Sequence, residues 1–238
     1  MCVNYAQNDP FFPYRKATRN GDIMSRMKTS KPTGFSLISV RLLITVLLAA
    51  VFLPAFADRP GVVLSCLHSF NVFANRQTPV AELVEGGDGN FYGTTFWGGT
   101  NGGNGTIFRI STNGILTSLH SFRGGIDGAN PQAGLAQGRD GNFYGTTFYG
   151  GMGSNGTVFK ISADGSFSGL YVFTGGDDGG NPEAGLVQGS DGTFYGTTFS
   201  GGTNGYGTVF KISANGSFRS LYSFNGGDDG NGLQKCLV

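Results

Sequence analysis

The chain has 238 residues, 43 of them glycine, and a formal net charge of +1. That much glycine excludes a helical protein, because each interior glycine costs a helix about 1 kcal/mol relative to alanine. The 21 Phe and 9 Tyr exclude a disordered linker, which lacks such apolar surface.

The charge is an average of two unlike parts. Residues 1–57 carry seven Lys or Arg against Asp9 and Asp22, a net of +5; residues 58–238 carry nine basic against thirteen acidic side chains, a net of −4. The acidic part has no clustered basic face of the kind nucleic acid requires. Its glycine tracts lack the G-K-[ST] of a phosphate loop, so nucleotide binding is not expected either.

In chain order, the first feature is the apolar run "LLITVLLAAVFLPAFA" at residues 42–57, preceded by Lys28, Lys31 and Arg41. Its length and basic flank fit a secretory signal peptide, with a small-x-small cleavage site at Ala55-Phe56-Ala57 that leaves Asp58 first. A membrane span needs about 20 apolar residues, so the membrane is expected to be met only through this segment if it stays uncleaved. A start at Met27 makes residues 27–57 a normal signal peptide, and residues 1–26 an upstream extension outside any fold. The expected location is exported: extracellular, at the cell surface or in the periplasm. There a disulfide between Cys66 and Cys236 is permitted, and unpaired thiols are the other reading.

Beyond residues 58–66, which read as an N-terminal strand segment, the chain repeats. "LHSF" at Leu67 and Leu119, "LYVF" at Leu170 and "LYSF" at Leu221 are spaced by 52, 51 and 51 residues. They define repeat 1 (67–118, with a degenerate start), repeat 2 (119–169), repeat 3 (170–220) and a truncated repeat 4 (221–238). In the third, Glu183–Ser190 and Thr193–Phe199 read as two strands joined at Asp191-Gly192; after a glycine loop, Thr208–Ser213 and Ser217–Phe224 read as two more, joined at Asn215-Gly216. The Asp-Gly and Asn-Gly pairs predict type I′ turns, in which positive φ favours glycine. Four antiparallel strands about every 51 residues make one propeller blade. The expected fold is therefore all-β, a propeller-like array of about three four-stranded blades in an open arc, since a ring takes about 4–8.

The segments Phe91-Tyr92-Gly93, Phe143-Tyr144-Gly145 and Phe194-Tyr195-Gly196 are expected to fill equivalent packing sites between blades, with the glycines allowing close approach. "GLVQGSDGTFYGTTFSGGTNGYGTVFKIS", from Gly185 to Ser213, resembles the bacterial Gloeo-Verruco (GloVer) tandem repeat over roughly residues 67–230. That resemblance implies an exported bacterial protein, often surface-associated through varied C-terminal anchors, with no established enzymatic activity or cofactor. Two departures stand out: residues 70–87 replace the usual glycine-rich entry, and the chain leaves the pattern after Asn231, which reads as truncation or a frame error.

No catalytic residue emerges. His68 and His120 occupy the slot of Tyr171 and Tyr222, an aromatic exchange, and Asp88, Asp140 and Asp191 are turn formers. No cofactor is expected; calcium is the one candidate, since the oxygens of Asp127 and Asn130, and of Asp177, Asp178 and Asn181, cluster in glycine loops. Trp97 and Tyr149, sharing a position with Ser200 before a Gly-Gly loop, are the candidate ligand-binding aromatics, able to stack on a sugar. Glycans or other surface proteins are the candidate partners. The sequence supports a surface or extracellular binding or structural module, with a polysaccharide lyase or hydrolase, or a fragment of a longer repeat protein, as alternatives.

Overall fold

Each Phe-Tyr-Gly-Thr segment is a strand, because aromatic and β-branched side chains pack well on a pleated surface while glycine is tolerated where a neighbouring ring covers it. In a computed structural model describing residues 66–70 and 78–230, these residues belong to one compact unit. The first sheet is β1 (Val84–Glu85), β2 (Phe91–Thr95), β3 (Thr106–Ile110) and β4 (Leu116–Ser121). The second is β5 (Ala136–Gln137), β6 (Phe143–Thr147), β7 (Thr157–Ile161) and β8 (Phe167–Val172). The third is β9 (Val187–Gln188), β10 (Phe194–Thr197), β11 (Thr208–Ile212) and β12 (Phe218–Ser223).

All three are antiparallel and ordered as in sequence. The described residues contain no helix and form an open array of blades, as expected. The repeat markers Leu119, Leu170 and Leu221 fall inside β4, β8 and β12. The extension, the signal segment with Ala55, Ala57 and Asp58, and residues 231–238 with Cys236 lie outside the described residues. Cys66 is exposed.

The core lies between sheets. Successive strand residues point to opposite faces, so Phe143 faces the first sheet and Tyr144 the third. Tyr92 stacks on Phe143 with ring centroids 3.9 Å apart, and Tyr144 stacks on Phe194 at the same distance. One buried cluster joins Tyr92, Ile107 and Phe122 to Leu135, Phe143 and Phe159; its counterpart joins Tyr144, Val158 and Phe173 to Leu186, Phe194 and Phe210. The glycine after each Tyr makes room for its own sheet: a Cβ at Gly145 would lie 2.5 Å from Phe159 Cζ and 2.9 Å from Leu135 Cδ2. The close approach is that of rings folding flat over the strand.

Two expectations are corrected. The inner strand is only Val187–Gln188, although its sequence reads as a strand from Glu183. Between the bridge Gly180↔Ser200 and the pair Val187↔Tyr195 lie the six residues 181–186 on one side and the four residues 196–199 on the other, so the ladder cannot run through. Asn181 at φ 53° and Pro182, which lacks an N–H, produce the mismatch.

The tight turns are not type I′ either, because only the glycine is left-handed: Gly89 has φ 73° and Asp88 has not entered that region. Gly89 N–H donates to Gly86 O at 2.9 Å and Gly86 N–H to Asn90 O at 2.8 Å, a three-residue loop closed by a glycine bulge. Asp88 keeps a negative φ, and its carboxylate accepts the Asn90 N–H at 3.1 Å.

Candidate binding face

In each sheet the second and fourth strands run in the same direction, so the loops that follow them emerge at one end. The short turns occupy the other.

The turn end is chemically closed. Asp88, Asp140 and Asp191 accept the hydroxyl of the Tyr four residues on, at 2.8, 2.8 and 3.0 Å. At Asp88, hydrogen bonds from Asn90 and Tyr92 hold the carboxyl below its ordinary range against burial. At Asp140 burial pushes upward, and the hydrogen bonds from Asn142 and Tyr144 outweigh it. Desolvation and the acceptor carboxylate push Tyr144 well above the ordinary phenol range.

The loop end is different. Buried threonine pairs clamp the ladder where β2, β6 and β10 run out: Thr95 with Thr106 and Thr147 with Thr157 at 2.8 Å, Thr198 with Thr208 at 2.9 Å. Above the clamp the chain emerges as Phe96-Trp97, Phe148-Tyr149 and Phe199-Ser200. Trp97 is 39% exposed and Tyr149 44% exposed. Each is supported by the preceding Phe at nearly a right angle, with centroids 5.0 Å apart at Trp97 and 4.5 Å at Tyr149. Backbone ties fix them further: Trp97 N–H donates to Thr78 Oγ1, and Tyr149 exchanges hydrogen bonds with Ala129. Ser200 carries no ring, and its hydroxyl donates to Asn181 Oδ1 at 2.8 Å.

The structure places four further apolar side chains in the loops of this end: Ile126, Met152, Phe199 and Tyr206, all exposed. For Ile126, Met152 and Tyr206 the signal in the sequence was an apolar residue standing alone in a glycine-rich polar tract. The repeat alignment hides it, because none of these three has an apolar counterpart in every unit; Phe199 is the repeated Phe of Phe96 and Phe148.

The proposed calcium residues are drawn into loop anchoring. Asp127 Oδ2 accepts Arg123 N–H at 3.1 Å and lies 3.3 Å from His120 Nε2. Asp178 accepts Thr174 N–H at 2.8 Å, Tyr171 O–H at 2.9 Å and the Thr174 hydroxyl. Asn130 and Asn181 donate from Nδ2 to the carbonyls of Phe96 and Phe148 at 2.9 and 3.0 Å. Asp177 is exposed. Among the described residues no group of three or more His, Cys, Asp or Glu is arranged to hold a metal.

His120 stacks on Phe167 with centroids 3.9 Å apart, as Tyr171 does on Phe218. Burial lowers its pKa, with Asp127 opposing. Of the acids that break the repeat pattern, Glu183 is half-buried, on the inner segment where the other units have Val80 and Gln132. Burial pushes its carboxyl above the ordinary range.

A repeat protein of stacked four-stranded blades with one aromatic loop end is what these features define. More particularly, the chain belongs to the Gloeobacter/Verrucomicrobia repeat family, whose sequence pattern matches residues 56–238. Comparison with curated proteins returns no match.

Among solved structures, the chain is similar to a protein provisionally described as a gluconolactonase, with 16% identity and a TM-score of 0.40 over 59% of this chain and 48% of that one. It is also similar to the extracellular domain of a provisionally described one-component system from B. thetaiotaomicron, with 12% identity and a TM-score of 0.44 over 71% of this chain and 20% of that one. A third is the tricorn protease, with 14% identity and a TM-score of 0.37 over 62% of this chain and 13% of that one. The chain thus spans less than half the length of each.

Proposed function

We propose that this protein is an exported, non-catalytic binding module that presents its loop end to polysaccharide, with Trp97 and Tyr149 as stacking platforms. The observation that carries the reading is the pair of exposed rings, held edge-on by Phe96 and Phe148 at equivalent places on neighbouring sheets. Flat rings whose orientation is fixed before binding lose little entropy on stacking a sugar. Export is supported by the apolar run at residues 42–57 and its basic flank.

The test is a glycan array followed by calorimetry on the glycan retained. Trp97→Ala and Tyr149→Ala should each weaken binding about tenfold or more with an unchanged melting temperature. Binding that survives both substitutions sinks the reading.

The alternative, a polysaccharide-active enzyme, is favoured by Glu183 alone, a half-buried acid with a raised pKa and no acidic counterpart in the other repeats. Cleavage of the retained glycan, abolished by Glu183→Gln, would establish it instead.

A further inference from the structure

The two inter-sheet contacts inside the chain are the same contact made twice. In each, a Tyr of the second strand stacks on a Phe of the next sheet, and an aromatic of the fourth strand lies on the next sheet's fourth strand. A buried threonine hydroxyl also donates across: Thr94 to Ala133 O at 3.1 Å, and Thr146 to Ala184 O at 3.4 Å.

The third sheet presents the donor half of this contact a third time. Tyr195 is half-buried where Tyr92 and Tyr144 are fully buried, and Leu221 and Tyr222 are exposed. Thr197 Oγ1 is buried without any hydrogen-bond partner. A buried hydroxyl left unpaired forfeits the hydrogen bonds water would give it, so it marks a missing acceptor. The first sheet holds the acceptor half: Phe91 and Leu116 are half-buried, and Ala81 corresponds to Ala133 and Ala184.

The outer part of that acceptor face already has an occupant. Phe70 lies on Phe108 at 5.3 Å, as Phe122 lies on Phe159 at 5.4 Å and Phe173 on Phe210 at 5.3 Å. Leu67 O faces Gly114 as Leu119 O faces Gly165 and Leu170 O faces Gly216. Residues 66–70 therefore sit where the fourth strand of a preceding sheet would sit.

We propose that the protein self-associates head to tail, the third sheet of one copy docking on the first sheet of a second copy. Leu221–Phe224 of the incoming copy take the seat of Leu67–Phe70, a segment of nearly identical sequence. Tyr195 stacks on the second copy's Phe91, and Thr197 donates to its Ala81 carbonyl. A second copy fits because both halves of a contact already used twice stand on the first and last of the three described sheets. Such a heterologous contact generates rings or open filaments, and the resident segment holds it in check.

Sedimentation velocity over about a hundredfold range of concentration tests this. The chain should associate reversibly. Tyr195→Glu, which leaves both internal contacts untouched, should weaken association about tenfold or more, and Phe70→Ala, which loosens the resident segment, should strengthen it about tenfold. Circular dichroism verifies that both variants are folded. A chain that stays monomeric in both the parent and Phe70→Ala forms overturns the proposal, and so does association that Tyr195→Glu leaves unchanged.

Discussion

Replacing Tyr144 by Phe removes one oxygen from the middle of the array. The ring is fully buried, stacked on Phe194, and its hydroxyl donates to Asp140 Oδ2 at 2.8 Å. A hydrogen bond to a charged group contributes roughly 1.5–3 kcal/mol, but Asp140 is exposed and keeps its two Asn142 donors, so solvent screening reduces the loss to about 1 kcal/mol. In a protein of this size that is a drop of about 2–4 °C in Tm. Tyr195→Phe removes the same bond, at 3.0 Å, from a partly solvated ring, and should cost less than about half as much. Tyr144→Ala deletes the stack as well and should cost about 3–5 kcal/mol.

Calorimetry at neutral pH measures all three. Repeating it in acid adds a sign test. Asp140 titrates below 3.8 when folded, so its contribution is complete above that value and disappears as pH falls below it; the gap between parent and Tyr144→Phe should close there. Equal losses at Tyr144 and Tyr195, or a gap that persists in acid, would refute the argument.

Two other perturbations read the same packing. His120 has a folded pKa below 6.5, so the neutral ring is favoured; its contribution is complete above pH 6.5 and is lost as pH falls through the folded value. Melting temperature should therefore decline as pH falls below about 6.5, and His120→Tyr, the residue at Tyr171, should flatten that segment of the profile. Gly145→Ala forces a methyl to within 2.5 Å of Phe159 and should cost about 1–3 kcal/mol in urea unfolding. Gly192→Ala meets nothing within 4 Å and should cost only the roughly 1 kcal/mol of a left-handed alanine at φ 79°.

The blades were legible because the signals that make them are local and repeated. Alternation at Thr208–Ile212, the aromatic pair at Phe194-Tyr195 and the glycine after each turn sit at the same offset in every unit, and each demands the same backbone. The shortness of the inner strand was not legible. It depends on a two-residue mismatch between segments paired across the sheet, which no property of Glu183–Ser190 alone reveals. The turn type was misread for a related reason: Asp-Gly suits a type I′ turn in isolation, but here Asp88, tied through its carboxylate to Asn90 and Tyr92, does not take the positive φ that turn requires. At the loop end, Trp97 and Tyr149 were visible as aromatics at a variable position. Ile126, Met152 and Tyr206 were not, because only the shared direction of second and fourth strands brings their loops to one end.

That arrangement explains how one scaffold can vary its binding residues without refolding. Directly beneath the variable position lies a threonine pair whose hydroxyls bond each other, while the Thr157 N–H donates to Thr147 Oγ1 at 3.1 Å. The pair closes the ladder with its polar groups satisfied, so the residue two positions on contributes nothing to the register. Trp97, Tyr149 and Ser200 can differ in size and polarity while the strands below them pair in the same register. At the turn end the opposite holds: Asp88, Asp140 and Asp191 each anchor a Tyr that forms the contact with whatever sheet follows. A change there propagates into the core, which is why the capacity to diversify belongs to the end where the chain has already left the ladder.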